Sequence, residues 1–86
     1  MKIEVKLKEP VSHGSETIDK LEIRKPKAKD IRQLPTDPKT GDILDLAARL
    51  ADQPPSVINE LGMEDVEAVL EVVGGFFQRG LGTGGR

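Results

Sequence analysis

The stretch Thr40–Gly80, TGDILDLAARLADQPPSVINELGMEDVEAVLEVVGGFFQRG, decides the fold. Thr40 suits a helix N-cap, and Asp42 suits a first turn, where the positive end of the helix dipole favours a carboxylate. Ile43, Leu44, Leu46, Ala47, Leu50 and Ala51 then recur at helical spacing, which predicts a helix over Gly41–Asp52 with one apolar stripe. Asp45 and Arg49, four apart, fall on its exposed side. Pro54-Pro55 stops this helix, and Pro55 can open a further turn, Ser56–Leu61, closed by Gly62. A last helix is expected over about Met63–Gln78, its stripe made by Val66, Val69, Leu70, Val73, Phe76 and Phe77. Glu64, Asp65 and Glu67 at its start and Arg79 at its end complement its dipole.

Upstream the period changes from 3.6 to two. In Met1–Glu9, Ile3, Val5 and Leu7 alternate with Lys2, Glu4, Lys6 and Lys8, the pattern of a half-buried strand that Pro10 ends or places at an edge. His13-Gly14-Ser15 is turn chemistry. Thr17–Arg24 reads as a second strand, clean at Leu21 and Ile23 and less so at Ile18. Together they predict an antiparallel hairpin, which needs a cover for its apolar face. Lys27–Leu34 reads as a short helix with Ala28, Ile31 and Leu34 three apart, and Leu34-Pro35-Thr36-Asp37-Pro38 as a loop. The expected fold is therefore α+β, an N-terminal antiparallel β-hairpin followed by three to four α-helices packed on one face. The expected organisation is a single small domain over 1–79 and a flexible, disordered tail over 80–86, where Gly80, Gly82, Gly84 and Gly85 cluster.

With 86 residues, 36% hydrophobic and 33% charged, the chain holds one modest core. It has no cysteine, which excludes a disulfide framework, thiol catalysis and thiolate metal sites. No apolar run approaches the ~18 residues of a membrane span, and Met1–Glu9 is not a signal-peptide core, so a soluble intracellular protein is expected. The net charge of −2 is split: residues 1–32 carry nine Lys/Arg and six Asp/Glu, residues 33–86 four and nine. That is a balance of +3 against −5, which can orient a partner.

Catalytic chemistry finds no foothold, and the chain is not expected to be an enzyme or to hold a metal or cofactor. Gly80-Leu81-Gly82-Thr83-Gly84-Gly85 has the letters of a dinucleotide fingerprint, but a helix precedes it where the motif needs a strand. His13 is the sole histidine and sits in a turn; Ser12, Ser15 and Ser56 have no base nearby; Glu64, Glu67 and Glu71 read as a solvated helix face. Arg24-Lys25-Pro26-Lys27-Ala28-Lys29-Asp30-Ile31-Arg32 carries five cations. It is either a docking patch for an acidic partner or phosphates, or a soluble linker. With no aromatic beside it for base stacking, nucleic-acid binding is not favoured.

Gly74-Gly75 is the odd step. Each glycine in a helix interior costs about 1 kcal/mol relative to alanine. The pair could mark close packing against the hairpin, a hinge that frees Phe76 and Phe77, or a helix that ends at Val73. The only two aromatics of the chain lie just beyond it, which suggests a binding surface. Val73, Gly74, Gly75, Phe76 and Phe77, with Leu46 and Leu50 behind them, are the candidate partner-binding residues.

Taken in order, "KIEVKLKEPV", "SHGSETI", "LEIRKP", "AKDIRQLP", "GDILDLAARLADQPPSVINEL" and "VEAVLEVVGGFF" resemble the small tail assembly chaperones of Mu-like phages and prophages, the E/41/14-like group. The likeness spans residues 3–77, and "LAARLADQPPSVI" and "EVVGGFF" are its most specific pieces. It implies a protein that holds the tape measure protein until tail tube subunits polymerise around it. It also implies a place in the bacterial cytoplasm and not in the finished virion, and a second, longer product made by ribosomal frameshifting, itself a possible partner. No catalytic residues come with the resemblance. Two other readings stay open: a prophage-encoded adaptor of another kind, and a nucleic-acid binder using residues 24–32; the exposed edges of the hairpin also leave a homo-oligomer open on any of these readings.

Overall fold

A computed structural model describes residues 2–80, with side chains through Phe77. Its elements are β1 (Lys2–His13), β2 (Glu16–Arg24), α1 (Ala28–Ile31), α2 (Thr40–Leu50), α3 (Pro55–Asn59) and α4 (Met63–Gly80). The fold is α+β, an antiparallel hairpin followed by four helices, as expected. The expected tail falls largely outside the described residues, although Gly80 is still the last residue of α4.

The two strands turn at Gly14-Ser15, with His13 paired to Glu16. Gly14 has φ +62° and Ser15 does not share the positive sign, the combination a type II′ hairpin turn requires. Pro10 does not end β1, which runs three residues further to His13. The strand tolerates it through an irregularity. Lys6 faces Lys20 and Val11 faces Ile18, so four residues of β1 stand against one of β2. Pro10 lies in that unpaired segment, where its missing N–H costs no ladder bond.

The irregularity also explains the blemish in the period of β2. It shifts the register by three, an odd number, so Val11 pairs with an even-numbered residue while Val5 pairs with Leu21 and Ile3 with Ile23. Directly opposed residues share a face of the sheet. Ile18 thereby joins Val11 and packs against the core although its parity differs from that of Leu21 and Ile23.

The apolar face of the hairpin, with Val5, Leu7, Val11, Leu21 and Ile23 buried, meets one cluster from the helices. α2 supplies Leu46, Ala47, Ala48 and Leu50; α3 supplies Val57 and Ile58; α4 supplies Val69, Val73 and Phe76. The outer face of α4 carries the exposed Glu64, Glu67 and Glu71, as their spacing predicts.

Helix ends differ in detail from expectation. Thr40 is the first helical residue of α2 and Lys39 its N-cap, because the Asp42 carboxylate reaches back to accept from the Lys39 N–H at 2.9 Å. At the other end α2 closes before the prolines. Asp52 takes φ +57°, its N–H donates to the Arg49 carbonyl, and the Gln53 N–H donates to the Ala48 carbonyl. These two bonds form a Schellman closure with aspartate where glycine is usual. Arg49 donates to Gln33 Oε1 at 2.9 Å instead of using Asp45.

Candidate functional site

Two buried carboxylates lock the fold and are spent on it. Asp30 is wholly buried in α1. It accepts from Arg24 Nη1 at 2.9 Å, Arg24 Nη2 at 3.3 Å and the Lys27 N–H at 2.8 Å. The Arg24 hydrogen bonds hold the Asp30 carboxyl below the ordinary aspartate range, against the opposing effect of burial, and the Lys27 N–H lowers it further. The same contact raises Arg24. Arg24 is therefore not free to bind a ligand. Of the basic segment, Lys25, Lys27, Lys29 and Arg32 remain exposed.

Asp65, in the first turn of α4, is almost completely buried. Its carboxylate accepts from the Lys8 N–H at 2.9 Å and the Glu9 N–H at 3.1 Å. These amides belong to the segment of β1 that has left the ladder. An acid at a helix N-terminus thus also satisfies the donors the strand irregularity releases. Asp65 lines a cavity of about 220 Å³ with Lys8, Glu9 and Glu64, but each of its oxygens already accepts a main-chain N–H. Among the described residues, no group of three or more His, Cys, Asp and Glu could hold a metal, and no helix is long and apolar enough to cross a membrane.

The candidate binding residues divide. Leu46, Leu50 and Val73 are buried at 2% exposure or less and Phe76 at 8%. In the free chain all four belong to the core, Leu46 and Leu50 behind the surface as expected in position and Val73 and Phe76 buried with them. Helix α4 is continuous through Gly74 and Gly75, so it does not end at Val73. Nor does close packing within the chain require those glycines, since a Cβ added at either meets nothing within 4 Å.

Val73, Gly74 and Phe77 do come together. With Pro38, Ile43 and Leu70 they line an open, largely apolar groove of about 310 Å³ between the start of α2 and the second half of α4. Phe77, Ile43 and Leu70 are half-buried, and Phe77 and Ile43 pack on the edge of the core. Ile43 and Leu70 belong to the two apolar stripes but were not singled out from sequence. Their signal is their place at the margin of each stripe, where a side chain is shared between core and surface. A larger groove of about 600 Å³, beside β2 and the end of α2, is lined mainly by charged side chains of both signs, among them Lys20, Glu22, Arg24, Arg49 and Asp52.

The family model described as phage tail assembly chaperone proteins, E, or 41 or 14, matches residues 4–78. The chain belongs to this family. The match covers the hairpin, all four helices and the apolar groove, so hairpin and helices are one family unit. No curated protein and no solved structure matches the chain. A role in phage tail assembly thus rests on the family, and the groove of this tail assembly chaperone is an open apolar site among the described residues.

Proposed function

We propose that this chain shields the tape measure protein of a growing phage tail by accepting one of its apolar helix faces in the groove between α2 and α4. The observation that carries the reading is the half-open apolar groove at Ile43, Leu70 and Phe77, floored by Val73 and bordered by a glycine the fold itself does not need. A long helical protein with one apolar side aggregates while bare. A small chaperone with one helix-sized groove, repeated along that length, covers it through many modest contacts. Gly74 keeps the groove wall low, so that a partner backbone can come close. The role needs no catalysis, and places the protein in the host cytoplasm during assembly and outside the finished virion.

Gly74→Leu separates function from folding. A Cβ at this position meets nothing within 4 Å and leucine improves helix propensity, so circular dichroism and thermal midpoint are expected to be retained or raised. The same leucine fills the groove, and co-purification with the tape measure protein encoded in the same tail operon is expected to be lost. Gly75→Leu, which does not line the groove, is expected to keep it. Undiminished capture by folded Gly74→Leu protein would sink the placement.

A further inference from the structure

The hairpin has two edges, and they are treated differently. The β1 edge is blunted: it carries Pro10, the irregularity between Lys6 and Val11, and the lysines Lys2, Lys6 and Lys8. Its released amides at Lys8 and Glu9 are taken by Asp65. These are the devices by which strands avoid unwanted pairing. β2 has none of the backbone ones. It runs nine residues, Glu16–Arg24, without proline. Among the described residues its main chain bonds only to β1. The open charged groove beside it leaves Lys20 and Glu22 uncovered.

We infer that β2 pairs antiparallel with β2 of a second copy of this chain, around a two-fold axis at Leu21, to give a continuous four-stranded sheet. Strand addition satisfies the outward N–H and C=O groups of both copies, and a two-fold axis makes the contact self-complementary. The charge pattern selects the register. For both apolar faces to lie on one side of the joined sheet, opposed residues must share parity. An axis at Lys20 sets lysine against lysine, and an axis at Glu22 sets glutamate against glutamate. An axis at Ile23 pairs Glu22 with Arg24, whose guanidinium Asp30 already holds. The axis at Leu21 sets Lys20 of each copy opposite Glu22 of the other, twice by symmetry. Glu22 exchanges only a long, exposed 4.0 Å pairing with Lys2 of its own hairpin, unlike the buried pair that holds Arg24. Asp19 then faces Ile23, with no like charges opposed, and the pairing ends before Ile18, which the irregularity has turned to the core face.

The test uses the full chain without any phage partner, so its outcome is independent of tape measure binding. Sedimentation from about 1 µM to about 1 mM is expected to show a monomer–dimer equilibrium. Lys20→Glu and Glu22→Lys each place like charges opposite one another twice, and each is expected to raise the dimer Kd by about tenfold or more. The double variant Lys20→Glu/Glu22→Lys restores the pairing with the signs exchanged, and is expected to return the Kd to within about threefold of the parent. Both side chains are exposed, so the monomer fold is retained and circular dichroism verifies it. Amide exchange in β2, but not in β1, is expected to slow as concentration rises. A parent that stays monomeric to the highest concentration overturns the inference. So does a dimer indifferent to the single swaps, or one the double swap fails to restore.

Discussion

Asp30 shows how much one side chain decides. A wholly buried carboxylate is tolerable only while its acceptors are filled. Arg24 and the Lys27 N–H fill them, and in doing so they fasten the end of β2 to α1. Because the folded carboxyl titrates below its unfolded value, its contribution is complete above the ordinary aspartate range near pH 4 and is lost as pH falls through the lower, folded value. Stability is therefore expected to be level in Asp30's contribution at neutral pH and to drop in acid. Arg24→Met removes the main cause of the lowered pKa and strands the carboxylate, at a cost of about 3 kcal/mol near pH 7. With burial then outweighing the Lys27 N–H, the folded carboxyl lies above its unfolded value, so Asp30's share of the acid-induced loss is expected to disappear and the deficit relative to the parent to shrink as the carboxyl protonates. Urea unfolding at a series of pH values measures both. Parental stability and a parental pH profile in the Arg24→Met variant would show that the ion pair does not govern this corner.

The elements follow from residue periods, with one long-range exception. Both strands, the last three helices and the turn at Gly14 were legible because each depends on neighbours within a few positions. Pro10 was legible as an edge residue, but not that β1 continues past it to His13, because the amides released beside it are taken by Asp65, 57 positions away from Lys8. The end of α2 misled because its closure uses Asp52 in a conformation that glycine usually supplies. Asp65 was legible as a helix-start acid, not as the acceptor for a strand. Its double role makes a prediction. Asp65→Ala leaves the Lys8 and Glu9 N–H groups without acceptors at a partly buried seam, and is expected to cost about 1–3 kcal/mol in chemical denaturation. Asp65→Asn keeps one acceptor oxygen and is expected to cost less. Hydrogen exchange at Lys8 and Glu9 should accelerate in the alanine variant before exchange in the centre of β2 does.

Seen whole, the molecule has a single core shared by hairpin and helices, and this is why the binding site was only partly legible. An apolar stripe on α4 announces that something covers it, but not whether the cover is the chain's own hairpin or a partner. The hairpin claims Val73 and Phe76, and α2 turns Leu46 and Leu50 inward beside them. Phe77, one helical position on, is left at the margin with Ile43 and Leu70. Sharing one core also sets how the molecule unfolds. The hairpin's buried face has no cover except the helices, and a two-stranded sheet is marginal alone. Val73→Ala in α4 removes two methyl groups from a fully buried site and is expected to cost about 2 kcal/mol. If the core is indivisible, that loss appears equally in the slowest-exchanging amides of β1, β2 and α2, none of which contains the substitution. Loss of protection confined to α4 would instead mean that helices and hairpin open independently. The groove between α2 and α4 would then be a surface formed only when both halves are closed.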